Sequence, residues 1–347
     1  MISEAEHTGT ASVLATTTLE DPVLVLGGYG YRNVGDEAIL SGLLHQIGSR
    51  RRLSVVSRMP AETAALHDIK AIPLRYSVRA LRSHASLIIG GGGLFGRDMG
   101  ALGRLIPMYG LLASGLGLRV AIHGVGLDRE MRQFAAVLLR RLAKRAVAFT
   151  VRDQTSAEIL ADWGIGAEVV PDLSASVQPA PPRRGWELLK LAGIDPDRPV
   201  VGLALTAVRA HQTAALEAVV AHCIAALPQV QFCFIPMSQH PFVPAHNDLL
   251  LGRRLQVRSP RLAILEGSPR PDEVMAVFGS LTAAVCMRYH SLLFADRAGT
   301  AVIPVPYAPK CEAWVAERGL KGVPLERAAL LSAVRTAVGV DRGVSVA

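Results

Sequence analysis

Apolar runs of four to six residues alternate along this chain with longer stretches whose apolar positions recur every three or four residues. The runs Val23–Leu26, Leu53–Val56, Leu87–Ile89, Val120–His123, Val147–Val151 and Glu168–Val170 read as strands. Between them the segments Glu37–Ile47, Leu102–Leu116, Met131–Ala143 and Thr155–Trp163 carry helical periodicity. A second series predicts strands at Val200–Leu205, Val230–Ile235, Leu262–Leu265, Ala283–Met287 and Ala301–Val305. Its helices fall at Thr213–Leu227, around Asp248–Gln256 and at Asp272–Phe278. Continuously apolar strands separated by helices predict parallel sheets covered on both faces. The fold class is therefore α/β, with two Rossmann-like domains and a cleft between them.

The rhythm breaks at Gln178–Pro199, where Pro179, Pro181, Pro182, Arg183 and Arg184 read as an interdomain linker running into a short helix. The expected division is a disordered leader over 1–20, a first domain over 21–177, a linker over 178–198 and a second domain over 199–347. The first eighteen residues lack the apolar core of a signal peptide, and Leu105–Leu118 is too short to span a bilayer. No transmembrane helix and a cytoplasmic protein are expected.

Composition narrows the chemistry. With 37 Lys and Arg against 29 Asp and Glu, the net charge of +8 favours anionic partners. Aromatics make up only 5% of the chain and do not interleave with the basic clusters, so nucleic acid is not an expected partner. Those clusters, Arg140-Arg141 with Lys144-Arg145 among them, read either as solvated helix ends or as a membrane-surface patch. Cys223, Cys233, Cys286 and Cys311 have neither CxxC spacing nor polar surroundings and read as buried thiols. No metal site is expected.

Candidate functional residues cluster at predicted strand ends, where open α/β sheets bind ligands. Gly27-Gly28-Tyr29-Gly30-Tyr31-Arg32-Asn33-Val34-Gly35-Asp36-Glu37 follows the first strand, so Gly28, Asn33 and Asp36 are either anion-binding loop residues or a helix cap. In the run Gly90–Gly93, Gly91, Gly92 and Gly93 offer either a backbone surface for substrate or a tight crossing with another element. Arg152 is either a phosphate or carboxylate clamp or a surface partner of Asp153. Asp172 stands at a further strand end. Arg288, His290 and Lys310 follow the last two strands and combine a fixed cation, a titratable ring and an ammonium. That set suits a small, multiply anionic substrate whose reaction moves a proton. His45, His67, His84 and His222 read as structural.

Together these motifs resemble the polysaccharide pyruvyl transferase family, including its CsaB-like branch. The matching elements are Asn33-x-Gly35-Asp36-Glu37, Gly91-Gly92-Gly93, Val151-Arg152-Asp153, Asp172, Arg288-x-His290 and Tyr307-x-Pro309-Lys310. The resemblance implies a GT-B-like pair of domains and phosphoenolpyruvate as co-substrate, with no further cofactor. It implies a sugar acceptor, lipid-linked or nucleotide-linked, and donor-binding or catalytic roles for Arg152, Arg288, His290 and Lys310. Asp248 is the nearest match to an acidic residue ahead of the last two motifs. His123-Gly124-Val125-Gly126-Leu127 departs from the family's Gln-Gly-x-Gly-Pro, and Ala308 replaces its Asp. Peripheral membrane association and a homo-oligomer are compatible with this reading. The rival readings are a nucleotide-sugar-dependent glycosyltransferase on the same architecture and a non-catalytic anion-binding protein.

Overall fold

The computed structural model describes residues 19–48, 51–96, 102–207 and 210–340. Among these, the first unit takes in the chain through Gly30 and Asp36–Val177; the second takes in Tyr31–Gly35 and the chain from Gln178 onward. Seven strands build the first unit: β1 (Val23–Leu26), β2 (Leu53–Ser57), β3 (Lys70–Pro73), β4 (Ser86–Phe95), β5 (Arg119–Leu127), β6 (Ala148–Val151) and β7 (Glu168–Val169). They are all parallel, in the order β3-β2-β1-β4-β5-β6-β7. The order reverses between β1 and β4, which opens a crevice at their carboxyl ends.

Alternation along each strand divides the core. Leu24 and Leu26 of β1, Leu87 and Ile89 of β4 and Val120 and Ile122 of β5 pack with Ile106, Leu139 and Leu142 on one face. Val23, Val25, Ile88 and Ala121 pack with Ile39, Leu40 and Leu43 on the other. Both faces are dry, so continuous apolar runs were needed where a half-solvated sheet would alternate.

The second unit repeats the plan with β8 (Val200–Ala204), β9 (Gln231–Phe234), β10 (Leu262–Ile264), β11 (Ala283–Cys286) and β12 (Ala301–Pro304). These strands are parallel in the order β10-β9-β8-β11-β12, with the reversal between β8 and β11. The α/β class with two Rossmann-like sheets is as the sequence predicts.

Several elements differ from expectation. Residues 1–18 of the expected leader lie outside the described residues, but Leu19 is buried in the first core and Glu20 exchanges hydrogen bonds with the Ser86 hydroxyl. Gly90–Gly93 does not end its strand: β4 continues to Phe95, with an irregular register against β5 after Gly92. Strand β3 was not expected, because Lys70-Ala71-Ile72-Pro73 is a half-exposed edge without an apolar run. The short helix expected after the Pro-rich segment is Pro182–Leu191, and it packs on Pro271–Phe278. Gly185 sits directly on the Ala276 carbonyl there, and Arg184 Nε donates to Glu273 at 2.8 Å.

His123, buried in β5, departs from the family pattern and has its own network. Thr150 Oγ1 accepts the Gly124 N–H and lies 2.8 Å from His123 Nδ1, so the hydroxyl proton points to the ring. His123 Nε2 then donates to Gln46 Oε1 at 3.0 Å. Burial pushes this imidazole down to about 4, so the ring is neutral at pH 7. As pH falls from about 6.5 toward about 4, the unfolded chain takes up a proton that the fold refuses. We expect the fold to lose up to about 3 kcal/mol across that window and nothing above it. Denaturant titrations at pH 7, 5.5 and 4.5 check this: in His123→Gln that part of the acid sensitivity should vanish.

Candidate functional site

In the first unit, the β1–β4 switch point gathers Gly28, Asp36 and the Gly91–Gly93 run. A Cβ on Gly28 would lie 3.5 Å from Asp36 Oδ2, and one on Gly92 would lie 3.3 Å from Asp36 Oδ1. The Asp36 carboxylate thus sits between the two glycine loops. Gly91, at φ +68°, packs onto Ile39 and is buried; Gly93 is exposed. The two readings of the run therefore divide by residue. Gly91 serves close packing against Ile39, Gly92 is also buried, and Gly93 alone of the three is exposed.

Arg152 follows β6, and its side chain is only 5% exposed. Its Nη1 lies 3.4 Å from Asp172 Oδ2 and its Nε 3.5 Å from Asp153 Oδ2. This is not a surface pair. Asp153 also caps the helix Gln154–Ala161, accepting from Ser156 N–H and Oγ, while Asp172 Oδ1 accepts from Ser174 N–H and Oγ. Gly126 was not singled out in the sequence, yet a Cβ there would meet the guanidinium at 2.8 Å. The departure from Gln-Gly-x-Gly-Pro thus keeps the glycine that Arg152 needs.

In the second unit, Arg288 follows β11 at the switch point with β8. Its Nε and Nη2 each donate to Asp248 at 2.7 Å, a two-pronged fork, and Nη2 also donates to Thr206 Oγ1 at 2.9 Å. Thr206 follows β8, so this guanidinium is tied across the two strands between which the order reverses. Asp248 is 1% exposed and also accepts the Ser238 N–H at 2.9 Å. Held in this way, Asp248 orients Arg288. Such a fork fixes the guanidinium plane, which a lysine at this position would not allow.

His290 lies two residues further on, in the first turn of the helix Tyr289–Arg297, with its ring edge-on to Tyr289. The imidazole Nδ1 is in tight contact with Gly35, leaving no room for a side chain there. Asn33, within the same Tyr31–Gly35 segment, accepts the Gly35 N–H at 3.0 Å and forms an antiparallel bridge with Ser238. Asn33, Asp248, Arg288 and His290 therefore belong to one cluster. Lys310 is exposed on the first turn of Pro309–Glu317, after the neighbouring strand β12. Beside it a cavity of about 560 Å³ is lined by Met287, Val305, Tyr307, Val323 and Leu325.

Residues not anticipated from sequence frame this cluster. Arg32 is a non-glycine residue at φ +54°, held by the bond from Gln239 N–H to its carbonyl at 2.9 Å. Strain of this kind persists only where surrounding structure imposes it. Tyr31 stacks on His240 with ring centroids 5.1 Å apart. His240 Nδ1 accepts from the Phe242 and Val243 N–H groups, which makes Nε2 the protonated nitrogen of a neutral ring. Burial, and then His246, lower its pKa. The only sequence signal for it was a Pro-bounded segment after a strand.

The cysteines take no part. All four are buried, and burial pushes Cys223 up to about 11 and Cys233 and Cys286 up to about 12. Among the described residues no group of three or more His, Cys, Asp or Glu is arranged to hold a metal ion, and no helix is long and apolar enough to cross a membrane.

A family model described as Polysaccharide pyruvyl transferase matches residues 33–309, most of the chain. Among solved structures, the UDP-GlcNAc 2-epimerase from Neisseria meningitidis, bound to UDP-GlcNAc, is similar at 12% identity and a TM-score of 0.62, covering 92% of each chain. Anabaena Alr3699/HepE in complex with UDP and glucose matches at 13% identity and 0.63, over 92% of this chain and 90% of that one. The E. coli ADP-heptose LPS heptosyltransferase II matches at 11% and 0.50, over 92% and 99%. At such identities the likeness shows the fold, which is of the GT-B type. No curated protein is significantly similar in sequence.

Breaking the Arg288 fork should be costly, because it strands a guanidinium over groups built to hold it. We expect Asp248→Ala to lower unfolding free energy by about 3–5 kcal/mol, and Thr206→Val by about 1 kcal/mol. Chemical denaturation of both variants measures this.

Proposed function

The chain belongs to the polysaccharide pyruvyl transferase family, and from that premise we propose that it transfers the enolpyruvyl carbons of phosphoenolpyruvate to two hydroxyls of one sugar. The product is a pyruvate ketal on a cell-surface polysaccharide or its precursor, with release of phosphate. The observation that carries this reading is the Asp248-anchored guanidinium at the β8–β11 switch point, with the His290 imidazole two residues along the chain. A fixed fork suits a carboxylate or phosphate, and an adjacent imidazole suits proton transfer.

The donor's methylene carbon takes a proton, leaving oxocarbenium character on the carbon that bears the carboxylate and phosphate. One sugar hydroxyl adds to that carbon and gives up its proton. Phosphate departs, and the second hydroxyl closes the ring and loses its proton, so one proton replaces that consumed and one leaves with phosphate. In this scheme His290 is the general acid and base. Arg288 holds the donor's charge and Lys310 adds an ammonium from the next strand end, while within the first unit Arg152 is an anion-binding group in its own right. Asn33 in the second unit, and Gly28, Asp36, Gly92, Gly93 and Asp172 in the first, would each shape substrate binding within their own unit.

Phosphate release from phosphoenolpyruvate, screened against lipid-linked and nucleotide-linked sugars, tests the reading. Nucleotide release from a sugar donor, with phosphoenolpyruvate inert, would replace it by a glycosyltransferase. His290→Ala should lower kcat by at least about 10²-fold with the fold intact. Arg288→Ala should chiefly raise the KM for phosphoenolpyruvate; an unchanged KM removes its assigned role. Gly35→Ala, which meets His290 Nδ1, should lower kcat while leaving donor affinity within severalfold of the parent, as steady-state kinetics would show.

A further inference from the structure

We propose that the first unit docks on an anionic lipid surface through the helices Leu102–Gly115 and Gln133–Ala143. The two helices pack side by side on the same face of the first sheet. Gly110 makes the approach possible, since a Cβ there would lie 2.6 Å from Leu142 Cδ2. Their inner sides bury Ile106, Leu139 and Leu142. Their outer sides are also apolar. Leu105, Met108 and Leu112 follow one another at i, i+3 and i+7 on the first helix, with Leu116 just beyond it; Phe134 and Val137 stand on the second. These six are between 43 and 58% exposed.

A surface helix of a water-bathed protein normally turns a charged face outward. Here neither helix contains an acidic residue. The polar groups around the apolar rows are cations instead: Arg104, Arg132, Arg141, Lys144 and Arg145 are all exposed. Along the chain the flanking acids are Asp98, which lies outside the described residues, and Asp128 and Glu130, which precede the second helix. An apolar patch on two helices that carry cations and no acid calls for an occupant that is both apolar and negative. A bilayer containing anionic lipid has both properties, with acyl chains for Phe134 and Leu112 and headgroups for the arginines.

Charge also decides against a second copy of the chain as occupant. A symmetric pairing through this patch would set each cationic rim against its own image. The proposal goes beyond the reaction assigned above and does not depend on it, because binding to lipid requires no turnover.

Co-sedimentation of the full chain with vesicles tests it directly. Binding is expected to vesicles containing phosphatidylglycerol, to be weak with phosphatidylcholine alone, and to fall as salt rises. Arg141→Ser with Lys144→Ser should weaken partitioning roughly twentyfold, at about fivefold for each cation removed. Leu112→Ser with Phe134→Ser should reduce it at least tenfold, and both pairs lie on exposed positions, so an unchanged thermal midpoint is expected. Equal binding to both vesicle types, no binding, or binding indifferent to both pairs overturns the proposal. So does a dimer in size-exclusion chromatography that the Leu112/Phe134 pair abolishes.

Discussion

The Asp248–Arg288 fork is the interaction around which the second unit's chemistry is organised. A guanidinium left to itself at a strand end would swing with several free torsions, and its charge would be spent on solvent. Here one carboxylate, 1% exposed, takes two of its donors, while Thr206 from the adjacent strand accepts another. The carboxylate is itself fixed by the Ser238 N–H. Removing either charge would leave the other desolvated, so the pair is tolerated at this depth only because every element of the fork is satisfied. The cost of burying Asp248 is thereby converted into orientation of Arg288.

The same economy explains the glycines. Gly35 leaves space for His290, Gly126 for Arg152, and Gly91 for Ile39 of the helix that follows β1. Each is small because something specific occupies the volume of its missing side chain. Gly35 and Gly126 admit the His290 ring and the Arg152 guanidinium; Gly91 admits a core side chain and so brings helix and strand together. The Tyr31–Gly35 segment adds a backbone bridge from Asn33 to Ser238, which places the residue that positions Asp248 one step from the residue that caps His290's neighbour. Arg32 is held at positive φ in the middle of this segment, where its carbonyl is engaged by Gln239.

Sequence reasoning located most strands because parallel, doubly covered sheets demand unbroken apolar runs. Val23–Leu26 and Ala283–Met287 could hardly be anything else. It stopped β4 too early because Gly90–Gly93 has no side chains to carry a pattern, although the backbone continues to pair with β5. It passed over β3 because an edge strand needs burial on fewer sides. Lys70-Ala71-Ile72-Pro73 therefore shows no run. The Pro-rich segment near 180 read as a connection running into a short helix, and Pro181 and Pro182 start that helix, whose Gly185 rests on Ala276.

What the sequence determined by itself was the class of architecture and the strand ends at which Arg152, Arg288, His290 and Lys310 would stand. Both follow from local pattern, since hydrophobic period and strand termination are written in adjacent residues. Tertiary structure alone decided which charges are matched. Asp248 lies 40 residues from Arg288 and Thr206 lies 82, and nothing local in either stretch marks it as a partner. It also decided that Asp248 holds Arg288, that Gly91 packs on Ile39, and that His240 is held as a neutral donor. These depend on burial and on hydrogen bonds between distant segments, quantities that exist only once each sheet has formed.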